Sequence, residues 1–343
     1  MAIRIAVTMG DPSGIGPEIL AKALVKWEPG LYQPIIIGSR LALERALGIV
    51  GVRLPNLQAA SSFLPGDTEA IFLIDPAPLD ESDISFAHPS EAACKATLKF
   101  IETAVTLAME GKVQAICTGP IHKANLQKYG FQFPGHTEFL QYLTKAKDVV
   151  MMLAGPKLKV SLVTIHEPLL RVPHLLAPDW IRRVIEITAE SLIRDFGIRY
   201  PRLAVAGLNP HAGEEGQFGH EEMDSIVPAV AAFARVPYSV VGPLPPDTVF
   251  YRAYQGEFDA IVAMYHDQGL IPIKLVHFRT AVNVSLGLPI IRTSVDHGTA
   301  YDIAGTGRAD SESLEHALRL AATMARNRYG RSDRYSRCKA AQS

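Results

Sequence analysis

The chain is 343 residues long, 48% hydrophobic and 20% charged, with a formal net charge of −1. That length exceeds what a single hydrophobic core usually organises, so two domains or one large α/β unit are expected. The near-neutral charge gives no electrostatic basis for binding nucleic acid or an anionic membrane, and no apolar run approaches the roughly 20 residues that span a bilayer.

Residues 1–12 turn into Gly10-Asp11 before any apolar segment long enough for a secretory signal develops. Cys94, Cys117 and Cys338 are widely spaced and form no CxxC pair. Both features predict a cytoplasmic protein with reduced thiols.

Residues 3–8 alternate and are β-rich, which predicts a strand. Gly10-Asp11-Pro12-Ser13-Gly14-Ile15-Gly16-Pro17-Glu18 follows, with a helix expected over about 17–25, since proline is favoured in a first turn. Strand, glycine-rich turn and helix N-terminus together aim backbone N–H groups at an anion. The glycine spacing is not GxGxxG, which argues against a Rossmann fold. A buried strand is expected over 34–37, a short helix over 40–47, and two short strands with loops in the Pro-rich stretch 52–85.

Ala92, Ala93, Ala96, Leu98, Ile101, Ala104, Val105 and Ala108 form a broad apolar stripe, predicting a helix over 90–110 with Ser90 as its N-cap and Gly111 as its stop. A strand over 113–117 then ends in Thr118-Gly119-Pro120-Ile121-His122-Lys123. Phe133-Pro134-Gly135-His136-Thr137 leads into a helix at about 138–143.

Three later strands repeat one design. Residues 159–165 end in His166-Glu167-Pro168, 202–208 in Asn209-Pro210-His211, and 259–265 in His266-Asp267-Gln268-Gly269. With helices expected over 178–196 and 225–234, the pattern alternates as α/β units do around a largely parallel sheet. Ligands of such sheets sit beyond the carboxyl ends of the strands, where the three imidazoles can converge. A helix over 313–327 closes the chain, and 330–343 reads as a polar, basic, frayed tail.

A lone histidine at a strand end is more often structural than a ligand. Three of them, each followed closely by Glu167, Glu214 or Asp267, shift the balance to a metal site. Neutral imidazoles favour Zn²⁺ or a similar transition ion, whereas Mg²⁺ prefers oxygen. Lys274, Asn283 and Arg292 suit a phosphate-like group, although spacing alone fits ordinary surface cations and a strand asparagine equally well.

His136-Thr137 at a helix start suits an anion, or a plain cap. The loop 297–307, with His297, Gly298, Thr299, Asp302 and Gly305, could accept the adenine and ribose of a dinucleotide; a glycine-rich turn needs no ligand. Asp247 and Asp267 are candidate acid/base groups, and either also fits a turn or cap. Three histidines around an open metal would equally serve a hydrolase.

The blocks TMGDPSGIGPEI (8–19), TGPIHK (118–123), PGHTEFL (134–140), LNPHAGEEGQFGHEE (208–222), DAIVAMYHDQGLIPIK (259–274) and HGTAYDIAGTG (297–307) occur in this order. Together they resemble the 4-hydroxythreonine-4-phosphate dehydrogenase family of pyridoxal phosphate biosynthesis. The first and last blocks also resemble loops of isopropylmalate and isocitrate dehydrogenases. The resemblance implies two α/β domains with the active site in the cleft between them, 1–125 plus 285–330 forming one, 126–284 the other, and 331–343 a flexible tail.

It further implies metal ligands at His166, His211 and His266 for zinc, cobalt or magnesium. Substrate contacts are implied at His136, Thr137, Lys274, Asn283 and Arg292, and NAD (or NADP) at 297–307. Family members are homodimers sharing residues across the active site. Relatives act on 4-phospho-threonate or -erythronate, or on aromatic cis-dihydrodiols; the intact phosphate set favours a phosphorylated substrate.

Overall fold

The computed structural model describes residues 3–60 and 69–340, with side chains through 330. In chain order the first elements are β1 (Arg4–Thr8), α1 (Gly16–Val25), β2 (Gln33–Ile37), α2 (Arg40–Val50), β3 (Leu57–Ala59), β4 (Ile71–Ile74), α3 (Glu91–Met109), β5 (Ala115–Thr118), α4 (Lys123–Lys128) and α5 (His136–Thr144). Then come β6 (Val150–Ala154), β7 (Lys159–Leu162), α6 (Val172–Leu175), α7 (Pro178–Arg194), β8 (Arg202–Ala206), α8 (Val227–Ala231), β9 (Ser239–Leu244) and α9 (Pro246–Tyr254). The last are β10 (Ala260–Ala263), α10 (His266–His277), β11 (Val282–Leu286), β12 (Arg292–Ser294) and α11 (Glu312–Ala340).

Contacts divide this mixed α/β chain into two compact units, Met1–Asp148 with Leu288–Ser343, and Val149–Gly287. In the first, the strands run β3-β4-β2-β1-β5-β12 and every pair is parallel. Parallel strands covered on both faces read as continuous apolar runs, and Ile35, Ile36 and Ile37 are all fully buried. Local chemistry starts the covering helices: the Ser39 and Ser90 side chains accept from the N–H groups of Ala42 and Ala93. Helix α3 packs on β1, β2 and β5, α11 on β1, β5 and β12, and α5 on α3.

In the second unit the order is β11-β6-β7-β10-β8-β9. Here β6 runs antiparallel to both β11 and β7, while β7, β10, β8 and β9 are parallel. Its core joins Leu153, Val160, Leu162, Ala204, Val249, Ile261, Leu270 and Ile273.

Several elements lie where the sequence does not announce them. His266-Asp267-Gln268-Gly269 reads as a turn, yet it opens α10, whose buried Leu270 and Ile273 pack on β7 and β10. The helix expected over 225–234 starts with a wide turn, Glu222–Ile226, before α8. Helix α11 continues to Ala340 rather than ending near Asn327, because Gly330 alone, without a proline, does not stop a stretch that carries Arg328, Arg331, Arg334 and Arg337. Of the expected tail, 341–343 lie outside the described residues.

Candidate active site

In the first unit, β1 delivers the chain into the glycine turn. Gly10 sits at φ 76°, where a Cβ would stand 2.3 Å from the Pro120 carbonyl oxygen, so only glycine lets the Asp11 N–H donate to that oxygen at 2.9 Å. Asp11 is 4% exposed. Its carboxylate accepts from the Ser13 N–H at 2.8 Å and from the Tyr301 hydroxyl at 2.5 Å, and that hydroxyl accepts from Asn125 Nδ2 at 3.0 Å. Burial pushes the Asp11 carboxyl above its usual value, with the Tyr301 and Ser13 donors and nearby His122 opposing it.

The loop at 297–307 is tied to the same turn. Ile15 N–H donates to the Thr299 carbonyl at 3.0 Å, and Gly305 N–H donates to Glu18 Oε1 at 2.5 Å. The Lys22 ammonium donates to the carbonyls of Gly307 and Ala309 at 2.7 and 2.6 Å. Thr299 is buried, while Gly298 and Asp302 face solvent. His297 holds Nδ1 3.0 Å from the Gly298 carbonyl and keeps Nε2 buried with no hydrogen-bond partner among the described residues. The turn at 10–18, the end of β5 and the loop at 297–307 thus form one cluster.

Beside it lies a basic cluster. Arg292 opens β12, is 2% exposed, and donates from Nε and Nη2 to Thr118 Oγ1 at 3.2 and 2.8 Å. Burial lowers its guanidinium to about 10, which leaves it charged at neutral pH. Helix α5 begins at His136 without a side-chain cap, so its first-turn N–H groups remain for a ligand. Burial, then the charges of Arg292 and Lys123, hold the His136 imidazole well below its ordinary value and so neutral. Its Nε2 is buried with no partner among the described residues. A neutral imidazole, a buried guanidinium and uncapped N–H groups suit an oxyanion.

In the second unit the three sequence-flagged histidines follow β7, β8 and β10, which are neighbours in the order β7-β10-β8. Their strand ends are cross-tied. Thr164 donates N–H and Oγ1 to the Met264 carbonyl at 3.1 and 2.8 Å, and Gln268 accepts from Met264 N–H at 2.7 Å while donating to the Gly207 carbonyl at 2.6 Å.

The His166 and His266 rings approach to 5.6 Å between centroids. Asp267 Oδ1 lies 2.7 Å from His266 Nδ1, an arrangement that fixes the ring and leaves Nε2 for a cation. His211 rides on Pro210–Gly216, where His211 through Glu215 all have positive φ. Glu222, 2% exposed, holds the base of that loop by accepting from the Leu208 and Asn209 N–H groups, each at 2.7 Å. Among the described residues no set of three or more His, Cys, Asp or Glu side chains is placed to hold a metal ion. Two imidazoles therefore converge, and the third sits on a neighbouring strand end without completing the set.

Lys274 lies half-buried on α10, and Asn283 lies in β11 opposite Leu153 with Oδ1 buried and unpartnered among the described residues. Asp247 is exposed in the first turn of α9, where an acidic residue complements the helix end. Sequence reasoning did not single out Asp11, Thr118, Glu222, Gln268 or Tyr301. Asp11, Thr118 and Tyr301 are polar residues among glycine, proline, alanine or other small or apolar neighbours, which is a signal that could have found them, whereas Glu222 and Gln268 sit in polar runs that hide them.

Loops gathered at the carboxyl ends of parallel strands, beside a buried guanidinium and imidazole, fit an α/β enzyme. The comparisons narrow this class. The chain belongs to the family described as pyridoxal phosphate biosynthetic protein PdxA, whose model matches residues 30–321. It is 47% identical over 328 residues to a 4-hydroxythreonine-4-phosphate dehydrogenase of Desulforapulum autotrophicum, covering 94% of this chain and 95% of that one. It is 46% identical over 330 residues to a D-threonate 4-phosphate dehydrogenase of Cupriavidus necator, covering 94% and 98%. The crystal structure of 4-hydroxythreonine-4-phosphate dehydrogenase from Klebsiella pneumoniae superposes with a TM-score of 0.84 at 43% identity, over 94% of this chain and all of that one.

Proposed function

We propose that this protein is an NAD-dependent dehydrogenase that oxidises 4-phosphooxy-L-threonine at C3 and releases CO₂, giving 3-amino-2-oxopropyl phosphate for pyridoxal phosphate synthesis. The observation that carries this reading is family membership across nearly the whole chain, with like-named relatives at this identity. The basic cluster at Arg292 and His136 adds support, because a buried guanidinium and uncapped helix N–H groups suit the oxygens of a phosphate. The dinucleotide, when bound, would supply a hydride acceptor for the C3 hydrogen, while the hydroxyl proton goes to a base of the protein. The product is a β-keto acid, so the C1–C2 bond then breaks, its electrons form an enolate, and protonation at C2 gives the aminoketone.

In this reading His136, Thr137, Lys274, Asn283 and Arg292 bind the substrate, with the cations and amide toward its phosphate. His297, Gly298, Thr299, Asp302 and Gly305 belong to the cofactor loop, for NAD or, as the alternative, NADP. His166, His211 and His266 would hold a divalent cation (zinc, cobalt or magnesium), which would supply Lewis-acid polarisation of the hydroxyl and of the enolate oxygen. Asp267 and Asp247 are the candidate bases, and the contact from Asp267 to His266 favours an orienting part for that residue.

We read the fold as the isocitrate/isopropylmalate dehydrogenase type with two α/β domains, from the resemblance of the blocks at 8–19 and 297–307. The working form is proposed to be a homodimer sharing its active-site residues, in the cytoplasm. The outer face of α10 and the residue after it support the dimer, since Ile271, Leu275 and Phe278 are 65%, 83% and 77% exposed. Among the described residues no helix is long and apolar enough to cross a membrane.

The second reading, D-threonate 4-phosphate dehydrogenase, is favoured by the comparable identity to the Cupriavidus necator relative. The two substrates differ at C2, amine against hydroxyl. The test is a panel of 4-phosphooxy-L-threonine, D-threonate 4-phosphate and D-erythronate 4-phosphate with NAD⁺ and a defined divalent cation, following reduced nicotinamide. The first substrate is expected to give the highest kcat/KM. A higher value for D-threonate 4-phosphate selects the second reading, and no reduction with any of them overturns both.

A further inference from the structure

Between β4 and α3 the chain has no regular structure over residues 83–90, yet it is held at three points. Ser90 Oγ donates to the Asp83 carbonyl at 2.9 Å, Arg45 Nη1 donates to the Ile84 carbonyl at 2.7 Å, and Ala87 N–H donates to the Ser13 carbonyl at 2.9 Å. The last bond fixes the segment to the glycine turn after β1. Within it, Phe86 is 39% exposed, a large apolar ring left partly in water on an anchored backbone. The ring lies against Gly305, where φ is 79° and a Cβ would stand 2.5 Å from Phe86 Cδ2 and 2.7 Å from Cε2. Only glycine permits so close an approach of the ring to the loop backbone.

We propose that Phe86 is a stacking face for one of the two planar rings of the dinucleotide, adenine or nicotinamide. This rests on the reading of 297–307 as the cofactor loop. A heteroaromatic ring laid offset on a phenylalanine gains dispersion and excludes water from both faces. Because the backbone on either side of Phe86 is already hydrogen-bonded, little of that gain goes into ordering the segment. The polar loop supplies donors to the phosphates and ribose, and an aromatic surface beside it is the complementary part for a flat, weakly polar ring. Stacking of this kind changes affinity by about 5- to 150-fold per ring.

The test uses the full-length enzyme with its metal and phosphorylated substrate, comparing Phe86→Ala, Phe86→Leu and Phe86→Trp. Alanine and leucine are expected to weaken NAD⁺ binding, read without turnover by calorimetric titration, and to raise KM for NAD⁺, each about tenfold, while kcat and KM for the phosphorylated substrate stay within about twofold and tryptophan restores the wild-type values. Leucine keeps the apolar bulk, so it separates stacking from packing, and thermal melting of each variant reports any loss of fold. Inhibition by AMP and by nicotinamide mononucleotide assigns the ring: Phe86→Leu weakens AMP if adenine is stacked, or the mononucleotide if nicotinamide is.

Wild-type KM for NAD⁺ in the leucine variant, or an equal rise in KM for both substrates, overturns the proposal. Gly298→Val, which adds bulk where the surroundings are open, tests the loop itself. If it raises KM for NAD⁺ while the Phe86 variants do not, only the stacking is lost. If neither changes it, the cofactor-loop reading falls as well.

Discussion

The loops of the first unit and the strand ends of the second are tied with equal care, but their ligand-facing groups differ. Around Asp11, Glu18, Lys22 and Tyr301 four internal hydrogen bonds tie residues 10–22 to residues 297–309, so the backbone of the loop at 297–307 is held by the protein itself. Beyond β7, β8 and β10 the ties run through Thr164, Gln268 and Glu222, beneath the histidines, while the imidazoles themselves stand beside one another or on a left-handed loop. The lesson concerns which partner completes a contact. A rigid backbone can hold a loop in place without help, whereas imidazoles placed side by side gain a common partner only when a cation binds their free nitrogens.

Substitution can break or sharpen this contrast. The largest effect is expected at the histidines: His211→Ala should lower kcat/KM by at least about 100-fold and reduce the bound divalent cation, measured by steady-state rates and elemental analysis. Full activity in that variant would remove His211 from the site and leave only the His166–His266 pair. Next comes Arg292→Met, which keeps the buried volume and removes the charge. A loss of about 10- to 100-fold in kcat/KM for the phosphorylated substrate is expected, with KM for NAD⁺ little changed; an equal loss for both would make Arg292 a structural residue.

The smallest effect is one of pH. The folded value of His136 lies below the ordinary histidine value of 6.5, so below that pH the unfolded chain takes up a proton that the folded chain refuses. Its presence therefore costs stability progressively as pH falls from about 6.5 toward the folded value, and costs nothing above. His136→Gln should flatten denaturant-derived stability between pH 7 and 5, and an unchanged slope would mean the imidazole is charged in the pocket.

The strands that carry this chemistry were legible because buried parallel strands are plain apolar runs, as at Ile35-Ile36-Ile37 and Ile261-Val262-Ala263. Strand β6 was not, since Val150-Met151-Met152-Leu153-Ala154 follows a helix end without a strong turn signal and its methionines have no strand preference. Helix α10 hid behind a polar start and an internal glycine that local patterning assigns to a turn. The loop residues at 8–19 and 297–307 were found as motifs, but their mutual bonds were not. No periodicity links Asp11 to Tyr301 across 290 positions; only the parallel pairing of β5 with both β1 and β12 does.

That pairing carries a consequence for synthesis. Val149–Gly287 is one unbroken stretch, whereas its companion unit lacks β12 and α11 until the final residues are translated. The interrupted half must therefore wait, its sheet edge at β5 open and the Asp11 carboxylate without its phenol, while the later-made insert already has all its strands. Any message cut short after codon 287 yields a molecule with its imidazoles present and the loop at 297–307 missing.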